Sequence, residues 1–139
     1  MATTLRIFGD DAGKLLLRLT IGVLLLLHGV RKISNGVAGL VGVVEKTGLP
    51  GELGYLVYIG EVVAPILLII GLWSRIAALV VAINMVVAIA LAHADELFLF
   101  TRTGAWALEL QGLFLFGALA IALLGAGRFS LGGAAGRWN

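Results

Sequence analysis

Residues 15–32, LLLRLTIGVLLLLHGVRK, limit what this chain can fold into more than any other stretch. Twelve of the first thirteen are uncharged, Arg18 interrupts the run, and His28, Arg31 and Lys32 close it. At ~1.5 Å per residue, an eighteen-residue helix is about 27 Å long, close to the ~30 Å hydrocarbon core of a bilayer. The stretch predicts a membrane-spanning helix. An ionisable side chain inside such a span costs at least ~2.5 kcal/mol on insertion scales, so Arg18 and His28 must be sheltered or used.

The rest of the chain agrees with a bilayer as its solvent. Of 139 residues, 60% are hydrophobic and 13% charged, with mean hydropathy +1.08. Soluble domains hold about 45–50% apolar and about 25% charged residues, and a chain this short cannot hide the excess in a core. The net charge of +2 is spread along the sequence, which leaves no nucleic-acid footprint. The absence of cysteine excludes a disulfide framework, a thiolate nucleophile, an iron–sulfur cluster held by this chain and a thiol relay. The first apolar run is longer than a signal core and lacks a small-x-small cleavage site, so it reads as a span and not as a secretory signal.

Four spans are expected, over about residues 13–33, 53–72, 75–93 and 105–124, forming a single transmembrane domain over 1–139. Asp10 and Asp11 suit the start of the first helix, where carboxylates cap free N–H groups. Residues 34–52 hold five glycines and one proline, too broken for a span. Within them Val37, Leu40, Val41 and Val44 fall at helical spacing and predict a short helix at the interface. In the second span Pro65 removes the donor that would meet the Glu61 carbonyl, which predicts a kink beside a carboxylate. Gly71 ends that helix, Ser74 caps the next and Trp73 lies at headgroup level. The third span is rich in alanine, with Asn84 near its middle. Short connections make this an all-α integral membrane protein, a four-helix up-and-down transmembrane bundle with a short interfacial helix in the first loop.

The side holding both termini carries Arg6, Lys14, Arg18, Arg75, Arg128 and Arg137, against Arg31, Lys32, Lys46 and Arg102 opposite. The excess of basic residues places both termini in the cytoplasm. Alternating helix direction brings His28, Glu61, His93 and Glu109 to the other face, one ionisable group from each span. Arg31 and Lys32 follow His28 by three and four residues on the same side of the helix, and Arg102 lies in a loop at that level. Two readings stand. Glu61 and Glu109 pair with His28, Arg31 or Arg102 to hold the bundle together, or these groups line a pocket open to one membrane face. Arg18 lies about 15 Å from His28 by helix rise, toward the cytoplasmic end where its stem can snorkel. The Glu-x-x-His pair of bundle di-metal sites is absent from the sequence, so no metal is expected.

These features resemble the DoxX family of small four-helix bacterial inner-membrane proteins. The matching residues are Leu17-Arg18-Leu19, Gly22, His28-Gly29 and Lys32, then Gly48-Leu49-Pro50, Gly60-Glu61, Gly71-Leu72 and Arg75. Ala77-Ala78, Glu109 and the closing Gly125-Ala126-Gly127-Arg128-Phe129-Ser130-Leu131 continue the pattern. One departure is Gly132, where the family ending usually has an acidic residue. The resemblance implies membrane redox chemistry, because DoxD-like members are linked to thiosulfate:quinone oxidoreduction and others to oxidative-stress or quinone responses. It implies no catalytic residues.

Read from the residues, a quinone-linked oxidoreductase subunit needs a lipid-accessible slot with a histidine and a carboxylate at one end. His28 would donate to a carbonyl, and Glu61 or Glu109 would relay protons. Arg31, Lys32, Arg102 and His93 would steady an anionic ligand, with Tyr58 or Trp106, and Tyr55, beside the ring. The alternative is a non-catalytic scaffold or small-molecule binder that recruits a soluble or membrane redox partner; a transporter is disfavoured, because the four spans show no inverted repeat. Partners expected are the lipid bilayer, a redox protein and, from the small residues of the third and fourth spans, a second copy of the chain.

Overall fold

The computed structural model describes the backbone of residues 2–139 and the side chains of residues 7–139, which leaves the Arg6 side chain outside. Helix α1 (Ala2–Asn35) contains no proline and is 34 residues long, well beyond the minimum for a bilayer. It starts upstream of the expected boundary, so Asp10 and Asp11 lie within the helix and not at its cap. Asp11 is buried and accepts the backbone N–H of Arg128 at 3.1 Å.

Helix α2 (Ala38–Lys46) is the short helix that the valine spacing predicts, and its apolar stripe turns inward, with Val37 and Val44 buried. The second span is one helical segment, Gly51–Ile70, but its pitch changes along its length. It begins as a 3₁₀ helix (Gly51–Leu56), widens to a π turn (Ile59–Val63) and tightens into α3 (Ala64–Ile70). Pro65 falls in the first turn of α3, directly after the π turn, where the pitch already departs from regular i to i−4 pairing. The wide turn before it absorbs the expected kink. Gly71, at φ 72°, closes α3 with its N–H and that of Leu72 both directed to the Leu67 carbonyl.

Helix α4 (Ser74–Ala92) follows at once. Ser74 does not cap it; its N–H and hydroxyl both donate to Asn139 Oδ1, at 3.2 and 3.0 Å. A 3₁₀ turn (Ala94–Glu96) leads into a loop pinned by an antiparallel bridge between Phe100 and Trp106. The Trp106 indole donates to the Leu97 carbonyl at 2.8 Å and its ring lies over Gly112, where a Cβ would come within 2.6 Å. Residues 105–108 are therefore committed to the loop, and α5 (Glu109–Leu124) starts four residues later than expected.

Helix α1 packs on α3 and α5, and α4 packs on the same two, so the four segments close a ring. Alanines make the closest contact: Ala77, Ala78 and Ala118 are buried in the core with Leu25, Leu68, Val81 and Ile121. Large apolar side chains cover the outside, among them Leu113, Phe116 and Leu123. Such a surface is unsuited to water and suited to lipid. Three helical segments are long and apolar enough to cross a membrane, and the apolar α5, of 16 residues, is shorter.

Candidate functional site

Each end of the ring carries polar side chains, with different roles. At the end where α1 begins, Arg18 is 1% exposed. Its Nε donates to the Leu68 carbonyl at 2.8 Å, Nη1 to Ala126 at 2.5 Å and Nη2 to Phe129 at 3.0 Å, with Ile69 at 3.5 Å. Leu68 and Ile69 end α3, where carbonyls lack helical partners and carry the negative end of the dipole. The guanidinium is thus satisfied by backbone alone. It does not snorkel; the glycine-rich segment after α5 folds back over it. Arg75 treats α5 likewise, with Nη1 on the carbonyls of Ala122 and Leu123 and Nε on that of Asn139. This end is a clamp.

The opposite end holds the candidate site. The Lys32 ammonium donates to Glu61 Oε1 at 2.5 Å, and Asn84 Nδ2 lies 3.5 Å from the same oxygen. Glu61 is buried, and its Oε2 has no hydrogen-bond partner. Two glycines permit this meeting of elements. A Cβ on Gly29 would strike the Glu61 backbone carbonyl, and one on Gly60 would lie 2.5 Å from Asn84 Cγ. The Tyr58 hydroxyl donates to the Lys32 carbonyl at 3.2 Å, holding that turn of α1 to the second span.

Glu61 stands in the wall between two cavities. The larger, of about 540 Å³, is roofed by Leu40 and Val44 of α2 and walled by apolar side chains of the second span and α4. Lys32, Glu61, Asn84 and His93 are its polar groups. Leu53, Ile59, Ile83 and Val87 line it and are also exposed on the outer surface, so it communicates with the outside between these two elements. The smaller cavity, of about 210 Å³, shares Lys32, Glu61 and His93 and adds His28 and Gln111.

The expected polar layer is therefore realised in part. His28, Lys32, Glu61 and His93 come together. His28 Nδ1 donates to the Leu24 carbonyl at 2.9 Å, which leaves Nε2 as the acceptor of the neutral ring, and the ring meets Phe114 edge-on at 5.6 Å. His93 caps the end of α4; its Nδ1 lies 3.4 Å from Glu96 Oε2 but is not aligned for a hydrogen bond and has no other partner. The carboxylate's partner is Lys32, in place of the expected His28, Arg31 or Arg102, because Lys32 shares the His28 face of α1 while Arg31 points outward and is exposed. Arg102 is exposed in the loop, and Glu109, the first residue of α5, is exposed as well; neither lines a cavity. Trp106 and Tyr58 also lie off the walls, holding the loop and α1 respectively. Asn84 and Gln111 were not among the expected site residues; a lone amide near the middle of an apolar span was the available signal for the first. Among the described residues, no three of His, Asp and Glu converge as metal ligands.

A family model, DoxX, matches residues 13–94, more than half of the chain. The chain belongs to the DoxX family. The DoxX match runs from α1 to the end of α4, so it contains Lys32, Glu61, Asn84 and His93, whereas Gln111 and the segment that folds over Arg18 lie beyond it. A Bacillus subtilis (strain 168) protein named "Putative oxidoreductase CatD" is 30% identical over 79 residues, 57% of this DoxX chain and 58% of the relative. The chain thus spans little more than half the length of that relative. No solved structure matches it.

Proposed function

We propose that this protein is a quinone-linked oxidoreductase subunit of a bacterial inner membrane, crossing it four times with both termini in the cytoplasm. The observation that carries this reading is an apolar cavity ending on a half-buried ion pair whose buried carboxylate keeps a spare acceptor. A quinone is an apolar ring with two carbonyls, and when bound it supplies two-electron, two-proton chemistry. Lys32 Nζ has N–H groups beyond the one given to Glu61 and would hold a ring carbonyl. Glu61 Oε2 and His93 Nδ1, both buried without partners, would hold and move protons at the ring oxygens. Apolar walls would exclude water from the ring, and the opening beside Ile83 would admit it from lipid. The name of the Bacillus subtilis relative supports the oxidoreductase half of the reading.

With no cysteine in the chain, electrons would come from a bound small molecule or a partner protein. A scaffold that recruits such a partner is the second reading, favoured by Arg31, Arg102 and Glu109, which are exposed at the cavity end of the helices. Equilibrium binding of a short-tailed benzoquinone to protein in lipid nanodiscs tests the first reading. Saturable binding weakened at least tenfold by Ile83→Trp, which fills the opening, is expected. No saturable binding to well-folded wild type would contradict it.

A further inference from the structure

Two cavities of unlike lining share Lys32, Glu61 and His93. In the larger, four of nineteen lining residues are polar, and its outer rim is leucine, isoleucine and valine. In the smaller, five of ten are polar: His28, Lys32, Glu61, His93 and Gln111. Apolar cavities stay dry, whereas a polar one with several donors and acceptors holds water at ~30 Å³ per molecule. The smaller cavity has room for several. Its walls come from late α1, Glu61 of the second span, the second half of α4 with His93, and the first two turns of α5. His28 lies about 10 Å from the end of α1 by helix rise, so this cavity is close to the membrane face at that end.

We infer that the smaller cavity is a water-filled access to Glu61 from the membrane face where α1 ends, separate from the dry cavity that opens toward lipid. The charged and polar groups facing Glu61 fit that division: His28 and Lys32 from α1, Asn84 from α4, His93 after α4 and Gln111 from α5. Lys32 occupies Oε1 and leaves Oε2 bare. A proton taken up from water on the wet side, with the imidazoles of His28 and His93 as carriers, is held on Oε2 and passed to the dry side, and the carboxylate returns to its starting state. The inference goes beyond quinone binding, since it concerns water access to Glu61 whatever the larger cavity holds.

The chain has no cysteine, so single cysteines report water access on a clean background. Gln111→Cys, or Leu110→Cys should the first fold poorly, is expected to react with a small charged methanethiosulfonate at least tenfold faster than Ile83→Cys at the rim of the dry cavity. Ala88 lines both cavities. Labelling of Ala88→Cys should slow at least tenfold when Gln111→Trp fills the smaller cavity and stay unchanged with Ile83→Trp. A Gln111→Cys that reacts only with a lipophilic maleimide, or an Ala88→Cys blocked by Ile83→Trp and not by Gln111→Trp, would overturn the inference. Benzoquinone binding, measured separately, decides the proposed function without bearing on this result.

Discussion

Arg18 and Glu61 are both charges inside an apolar chain, yet the structure resolves them in opposite ways. Arg18 is met entirely by backbone carbonyls, and Glu61 keeps one oxygen unmet. Hydrogen bonds to a charged group contribute about 1.5–3 kcal/mol each, and Arg18 directs bonds to both α3 and the segment after α5. Thermal unfolding in detergent should show Arg18→Ala destabilised by roughly 3 kcal/mol or more, with Arg18→Lys recovering little, because one ammonium cannot reach both groups of carbonyls. An unchanged melting temperature would contradict the clamp. At Glu61, Lys32→Met alone strands a buried carboxylate, whereas Lys32→Met with Glu61→Gln removes the whole pair. Lys32 is half-buried and Glu61 buried, and for such a pair replacing both partners costs less than removing the cation alone and leaving the carboxylate unpaired. The double variant should therefore unfold at a higher temperature than the single one. Glu109→Gln, at the exposed start of α5, should cost only a few tenths of a kcal/mol through the helix dipole and leave benzoquinone binding unchanged. The sequence makes the cost of Arg18 visible but not its solution, since Ala126 and Phe129 offer only backbone carbonyl acceptors, which any residue has, more than a hundred positions away. It likewise names the cations near Glu61, while the choice between adjacent Arg31 and Lys32 depends on the rotation of α1.

Among the elements, the second span departs most from a regular helix, and the departure surrounds the site. Pro65 predicts a disturbance there from sequence alone. That the disturbance is a π turn holding Glu61 against Gly29 follows from how α1 docks, which one helix's sequence does not encode. The consequence is testable because Gly29 is a poor helix former in the interior of α1. Alanine would add about 0.8–1.0 kcal/mol of helix propensity at an open site. At Gly29 its Cβ would strike the Glu61 carbonyl, so Gly29→Ala should destabilise the protein. Gly13→Ala, with open space around it, should stabilise it by up to about 1 kcal/mol. Denaturant titration of the two variants checks the pair, and equal effects would contradict the close contact. The late start of α5 was also hidden, because Ala105–Leu108 is apolar enough to continue a helix and only the Trp106 contacts with Leu97 and Gly112 assign it to the loop.

For the whole molecule, apolar run lengths and alternating direction were sufficient to place His28, Glu61 and His93 at one level. They do not reveal that the level contains two cavities, because cavity walls depend on side-chain packing between elements far apart in sequence. On the proposed function, the larger cavity holds an apolar redox ligand at Lys32 and Glu61. Mass spectrometry of organic extracts from gently purified wild type, beside the Lys32→Met, Glu61→Gln variant, tests it most directly. A quinone retained by wild type and lost from the equally well-folded variant is the expected result. Extracts without a quinone from both proteins, or one retained equally by both, would contradict the claim.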